Sequence, residues 1–199
     1  MTRGQQWMLV AGVVAAIAAG LTAAVVVVGD YARIGAGSIA PEFTAATLES
    51  PPTSRSLSHY RGRVVLLNIW ATVCEPCKVE MPGMEKLHRE FADQGLSIVA
   101  ISVDAPNYES IIRDFVTGLG LTFDILYDPN GGVERAYQSR GYPETFLIAR
   151  NGVITRKVWY AQDWTSADNR AIIQRLISEP GSPIPPPPKS AAIILQRGG

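Results

Sequence analysis

The sequence predicts an α/β domain, a central mixed sheet flanked by helices, preceded by one transmembrane helix. Three observations carry that expectation. Apolar runs of strand length alternate with helical stretches from Val64 to Leu119, the pattern of a parallel-containing sheet covered on both faces. Two further strand candidates flank Arg150-Asn151-Gly152, a tight hairpin turn that adds antiparallel strands. Finally, Trp7 to Val28 is apolar apart from Thr22, 22 residues within an uncharged stretch from Gly4 to Gly29.

That first segment, residues 1–29, is read as a membrane anchor or signal. A spanning helix needs roughly 20 apolar residues, whereas the apolar core of a cleavable signal runs to about 7–15. The length therefore favours an uncleaved anchor, with the cleaved signal as the second reading. A buried core helix fits poorly, because the run is apolar on every face. No cysteine follows the run before Cys74, so a lipid-anchored cysteine is not available. Arg3 and the amino group precede the span, and Asp30 and Arg33 follow it. This bias favours the N-terminus inside and the domain outside.

Residues 30–40 contain Gly and Ser breakers and read as a tether. The domain is placed at 41–179. It opens on an N-terminal strand extension, Phe43 to Leu48, and a loop from Glu49 to Ser58 containing Pro51-Pro52. Val64 to Trp70 is near-continuously apolar, as a central strand covered on both faces should be. Lys78 to Gln94 reads as a helix. Pro76 suits its first turn, and Pro82 lies deeper, where a missing N–H predicts a kink. Leu96 to Val103 is the second central strand. Tyr108 to Leu119 is helical by period, with Ile111, Ile112, Phe115, Val116 and Leu119 facing inward. Phe123 to Tyr127 is a third strand, followed by a turn at 128–131 and a short helix to Gln138. Thr145 to Ala149 and Val153 to Tyr160 form the hairpin. Ser166 to Ser178 is the closing helix, with Ile172, Ile173, Leu176 and Ile177 on one side. Residues 180–199 form a Pro-rich tail, extended over Pro180 to Pro188.

Cys74-Glu75-Pro76-Cys77 holds the only two cysteines of the 199 residues. A thiolate is both nucleophile and leaving group in disulfide exchange, so two cysteines this close can attack, resolve and release a substrate disulfide. Their place between a strand and a helix puts the first sulfur at a helix N-terminus, where peptide dipoles and free N–H groups favour an anion. A purely structural disulfide is a weaker reading, because so short a loop gains little from chain restriction. Covalent haem attachment wants a histidine directly after the pair, and Lys78 stands there. Two cysteines cannot make a four-cysteine zinc site, and His59 and His88 read as solvated or helix-surface residues. The net charge of +0 and the absence of a Lys/Arg cluster give no sign of a nucleic-acid partner. Glu80 lies three residues beyond Cys77 on the same helix face, where a part-buried carboxylate could accept or deliver the proton that exchange requires.

VVLLNIWATVCEPCKVEMPGMEKL, the later GYPETFLIARNGVI and the opening PEFTAATLES followed by SLSHYRGRVVLLNIW resemble the TlpA/ResA-type thioredoxin-like proteins. The resemblance spans about Ala40 to Glu179. It implies a thioredoxin fold and a membrane-anchored disulfide reductant on the outer side of a bacterial membrane, often serving cytochrome c maturation. It implies no cofactor beyond a redox-active Cys74–Cys77 disulfide, with Cys74 the exposed attacking thiolate and Cys77 the buried resolving thiol. Glu75-Pro76 helps set the redox potential, with Glu75 lending charge at the opening. Family members carry an acid with a proton-handling role at the position of Glu80. Thioredoxin has a buried Asp where this chain has Asn68, which cannot titrate, and that moves the proton-handling role toward Glu80. The resemblance also makes Pro143 a cis-proline beside the cysteines, presenting the backbone of Tyr142 for strand-like pairing with a substrate peptide. Two departures concern the rim. Val73 replaces a Trp, and Glu144 replaces a Thr where an acid would raise the thiol pKa.

The implied partners are protein disulfide substrates and a membrane-embedded thiol transporter as electron donor, with the protein itself a monomer. Two other functions compete. A thioredoxin-fold peroxidase is one, although the Pro-X-X-X-Thr/Ser-X-X-Cys arrangement is missing. A non-catalytic binding or assembly module using the Pro-rich tail is the other.

Overall fold

The computed structural model describes residues 2–30 and 33–179; the Pro-rich tail lies outside the described residues. Helix α1 (Arg3–Asp30) has 28 residues, about 42 Å at 1.5 Å per residue. That exceeds the roughly 30 Å of a bilayer's hydrocarbon core. Arg3–Thr22 is long and apolar enough to cross a membrane, a criterion that a signal sequence also meets. Helix α1 belongs to one compact unit, and the domain starting at Ile34 belongs to another.

The domain is built on strands β1 (Thr44–Thr47), β2 (Ser54–Ser56), β3 (Val64–Trp70), β4 (Leu96–Ser102), β5 (Asp124–Tyr127), β6 (Glu144–Ile148) and β7 (Ile154–Val158). They form one sheet in the order β2-β1-β5-β4-β3-β6-β7. The β3–β4 and β4–β5 pairs are parallel; β1–β2, β1–β5, β3–β6 and β6–β7 are antiparallel. This is the mixed sheet expected, because two strand–helix–strand crossovers build its centre and hairpins extend both sides. The helices are α2 (Glu75–Phe91), α3 (Glu109–Gly118), α4 (Gly132–Ala136) and α5 (Ala167–Ser178).

Every residue of β3 is buried, and its side chains alternate between two cores. Val64, Leu66 and Trp70 pack with Cys77, Met81, Met84 and Leu87 of α2 and with Ile173 and Leu176 of α5. Val65, Leu67 and Ile69 pack on the other face with Phe43, Tyr137, Phe146 and Ile154. The sheet is thus a wall between two apolar layers, and α2, which follows the cysteines, lies on the first.

Several elements differ from the sequence reading. The 49–58 loop contains β2 and leads into a 3₁₀ turn at Leu57–Tyr60. Its short polar residues gave no apolar alternation to detect. Ile112 is buried in the core, and Phe115, Val116 and Leu119 pack against it as expected, with Phe115 tilted against Trp70 at 4.7 Å; Ile111 is exposed. Ile111 lies at the edge of the apolar stripe that the other four bury. His88 is a half-buried residue of α2, its ring packed edge-on against Phe123 at 6.1 Å. His59 is exposed and caps the 3₁₀ turn, its Nδ1 accepting from Ser56 N. Pro82 sits inside α2, which continues through it. From Ile34 the stretch read as a tether is part of the domain. Ile39 bridges Val153, and Ile154 N–H donates to the Ser38 carbonyl at 2.9 Å.

Helix α2 is also pinned at its middle. Glu85 accepts from Thr122 N (2.8 Å) and Thr122 Oγ1 (2.7 Å) in the segment before β5, and pairs with Arg89 at 2.7 Å. Burial pushes its carboxyl up, but the Thr122 donors and Arg89 outweigh that and hold it below its ordinary value. A carboxyl lowered on folding stabilises the fold above its unfolded pKa of about 4.3 and loses that contribution as pH falls through the folded value. Glu85→Ala should therefore destabilise the domain by about 2 kcal/mol at pH 7. The difference from wild type should shrink under acid, as measured by denaturant unfolding at a series of pH values.

Candidate active site

The chain leaves β3 at its C-terminal end and turns through Ala71–Val73 before entering α2. Asp104, beyond β4, holds that turn in place. It is buried and accepts from Thr72 N (3.1 and 2.9 Å), Thr72 Oγ1 (2.7 Å) and Ser102 Oγ (2.7 Å). Cys74 is the N-cap of α2, and Pro76 occupies its first turn. The Cys77 N–H donates to Cys74 Sγ at 3.2 Å. Cys74 and Cys77 are joined as a disulfide. On reduction, the same N–H and the helix dipole are aimed at the sulfur that carries negative charge.

Cys77 is fully buried and Cys74 is 9 % exposed. Cys74 is the more accessible of the two, as expected, but it is far from open. In the oxidised pair its sulfur is turned toward Cys77 and packs in the α2-side core. Glu75 is exposed and pairs with Lys78, so its charge at the opening is compensated. Val73, 78 % exposed, forms part of the rim.

Glu80 is 2 % exposed, one helical turn beyond Cys77, a spacing that sets Cβ atoms about 5–6 Å apart. Three N–H groups surround its carboxyl. Asn68 Nδ2 of β3 donates to Oε1 at 2.9 Å. Gln162 N and Trp164 Nε1, from the segment between β7 and α5, both donate to Oε2 at 3.1 Å. Burial raises the Glu80 pKa above its ordinary value, and the donors from Gln162, Trp164 and Asn68 pull it part of the way back. None of the described ion pairs includes Glu80. It is a buried acid whose neutral form burial favours and whose anion three N–H donors favour.

The Tyr142–Pro143 peptide is cis, as the resemblance implied. It immediately precedes β6, whose Glu144 pairs with Ile69 near the end of β3 from which the cysteine turn departs. Tyr142 is half-exposed, and its hydroxyl donates to Glu134 at 2.7 Å. Glu144 corrects the sequence reading. Strand alternation sends Thr145 toward Asn68 and Glu80, at 2.8 Å from Asn68 Nδ2, and Glu144 to the opposite face of the sheet. There it pairs with Lys157 at 3.2 Å, whose ammonium also lies over the Phe146 ring. Its charge is matched on the far side of the sheet, so it is not an acid beside the thiols. Sequence reasoning missed Thr145, Gln162, Trp164 and Asp104. Alternation along β6 could have found Thr145; the other three join the site only through tertiary packing. Among the described residues no group of three His, Cys, Asp or Glu side chains is placed to hold a metal.

Residues 36–157 match the model of the AhpC/TSA family. The chain belongs to that family. It is 42% identical over 119 residues to the "thioredoxin-like protein YneN" of Bacillus subtilis, covering 59% of this chain and 68% of that one. It is 38% identical over 120 residues to the "thiol-disulfide oxidoreductase ResA" of Oceanobacillus iheyensis, covering 59% of this chain and 62% of that one. A secreted thiol-disulfide isomerase of Corynebacterium glutamicum superimposes with a TM-score of 0.59 at 26% identity, over 70% of this chain and 85% of that one. The family match and these likenesses bear out the thioredoxin-like fold and the resemblance to ResA-type proteins.

Trp164→Phe keeps the ring and removes one donor to Glu80 Oε2. A hydrogen bond to a charged group contributes about 1.5–3 kcal/mol, so the carboxylate should lose stabilisation and the Glu80 titration midpoint should move to higher pH. Carbon-13 NMR of the labelled side-chain carboxyl reads the midpoint directly, and an unchanged midpoint would show that the indole does not support the anion.

Proposed function

We propose that this chain is a membrane-anchored thiol–disulfide oxidoreductase that reduces protein disulfides outside the cytoplasm. The observation that carries the reading is the Cys74–Cys77 pair at the start of α2, Cys74 the more accessible and Cys77 fully buried, with the buried acid Glu80 a turn behind. The names of the ResA relatives support the activity class. The apolar α1 supports attachment to a membrane.

In the reduced enzyme the Cys74 thiolate attacks one sulfur of a substrate disulfide. A Cys74–substrate bond forms, the substrate S–S bond breaks, and the first substrate thiolate leaves. Cys77 gives its proton to the Glu80 carboxylate and attacks Cys74 Sγ. The Cys74–Cys77 disulfide forms and the second substrate thiolate leaves, so two electrons have passed from enzyme to substrate. Glu80 then releases its proton to solvent, and a dithiol donor, here a membrane thiol transporter, returns two electrons to the pair, one of its thiol protons going to Cys77 and the other to solvent. Tyr142 and Pro143 lead into β6, whose Glu144 pairs with Ile69 near the end of β3, and present the edge on which a substrate backbone docks. The client we favour is a Cys-X-X-Cys-His segment of an apocytochrome c, with the enzyme acting as a monomer.

Cys74→Ser in the full chain should abolish insulin-disulfide reduction, and Cys77→Ser should accumulate mixed disulfides with substrate. Full activity in the Cys74 variant would overturn the reading. The reduction potential decides the direction. A value near −270 mV fits a reductant, and one near −120 mV fits an oxidant.

A further inference from the structure

Glu80 must gain and lose a proton in each cycle, yet every described hydrogen bond to its carboxyl comes from an N–H donor. Such a set suits the anion. A protonated Glu80 carries an O–H that needs an acceptor, and a backbone N–H and an indole N–H cannot become one. Among these partners only the Asn68 side chain can. It is fully buried, and its Nδ2 donates both to Glu80 Oε1 at 2.9 Å and to Thr145 Oγ1 at 2.8 Å. Its Oδ1 is buried and has no hydrogen-bond partner. A buried orphan carbonyl costs about 1–3 kcal/mol, and an amide that leaves one asks for a reason.

We propose that Asn68 is a two-position amide that follows the proton on Glu80. With Glu80 ionised, Nδ2 faces Glu80 and Thr145, as observed. With Glu80 protonated, a half-turn of the amide brings Oδ1 to the same place, where it accepts from the Glu80 O–H and the Thr145 O–H. The observed separations of 2.9 and 2.8 Å fall within the range of O–H···O bonds. The amide's nitrogen and oxygen are nearly the same size, so the turn needs no change of volume. Each orientation leaves one end of the amide unpartnered, the carbonyl in the first and the NH₂ in the second. Thr145 fits as the third member because a hydroxyl donates or accepts as required. Asn68 is thus a positioning residue, and the inference rests on the reading of Glu80 as the proton carrier.

Among the described residues nothing charged competes for the amide. Strand β3 carries no titratable residue. Glu144 and Lys157, from β6 and β7, pair on the opposite face. Arg156 of β7 reaches the Gln162 side chain at 3.5 Å and Asn169 of α5 at 2.6 Å. Asp163 is exposed and held by Thr165. On α2, Glu85 is engaged by Thr122 and Arg89, and Glu75 and Lys78 pair at the surface. In α5, Asp168 is exposed, Arg170 pairs with Glu90, and Arg175 lies 3.8 Å from Glu179. The cysteines are the remaining titratable groups facing Glu80.

The test uses the full chain in detergent micelles, labelled with nitrogen-15 and carbon-13, and follows the Asn68 side-chain NH₂ while Glu80 is titrated. The expected result is loss of the NH₂ contacts with Thr145 as Glu80 becomes protonated, with the midpoint of the Glu80 carboxyl signal, and no such change in Glu80→Gln. Contacts that persist through the titration, or that change equally in Glu80→Gln, overturn the proposal. A kinetic arm adds a second measurement. Asn68→Leu should slow insulin reduction about five- to tenfold on both limbs of the pH profile, the equivalent of one hydrogen bond; a mere displacement of the profile would overturn the two-state role. The proton-carrier reading fails separately, if Glu80→Gln retains the wild-type rate and pH profile.

Discussion

A carboxyl group persists in an apolar interior only where hydrogen-bond donors stand in for water. Glu80 imposes that requirement on everything near Cys77. Its donors come from β3, through Asn68, and from the β7–α5 segment, through Gln162 and Trp164. Those pieces lie 12, 82 and 84 residues away in sequence, and only the completed sheet brings them together. The strand order β4-β3-β6-β7 matters for this reason. It lines up the start of the cysteine turn, the start of β6 and the end of β7 along one end of the sheet, so one carboxyl on α2 is reached from several strands. A partly folded chain has the cysteine pair but not the acid's environment.

The sheet also separates charge. One acid, Glu144, opens β6 at the active end, and consecutive-residue alternation decides its role. Thr145 points to the α2 face and meets Asn68, while Glu144 points away and meets Lys157. An acid at position 144 therefore does not oppose a Cys74 thiolate across a short gap. A single-residue slip in the β3–β6 register would exchange the two and place a second carboxyl beside Glu80. The Asn68–Thr145 and Ile69–Glu144 pairings are what prevent this.

The parts of the site legible in the sequence are those that local rules govern. The apolar run of β3, the two cysteines at the start of a helix, and Glu80 at i+3 from Cys77 depend on neighbours within a turn or a strand. Residues 64–70 matched the strand in full, and Pro143 came with the resemblance. Trp164 was out of reach because its pattern is that of a loop residue, and its indole becomes a donor to Glu80 only after α5 closes over the sheet. Asp104 was hidden for the same reason, since it buttresses the cysteine turn across β4. Glu144 shows the opposite failure. Its identity was read correctly, but a contact was inferred from position in a motif, and strand parity overrode it.

Asn68 joins these strands of argument. An acid at this place in β3 would share the α2-side cavity with Glu80, and two carboxyls in hydrogen-bond range cannot both ionise without a large penalty. An apolar residue would leave Glu80 Oε1 without a donor. An amide avoids both outcomes: it brings no charge, donates to a carboxylate and can accept from a carboxylic acid. Moving the titrating group from the strand to the helix thus needs a residue at 68 that is polar, neutral and reversible, and the asparagine amide offers all three while reaching both Glu80 and Thr145.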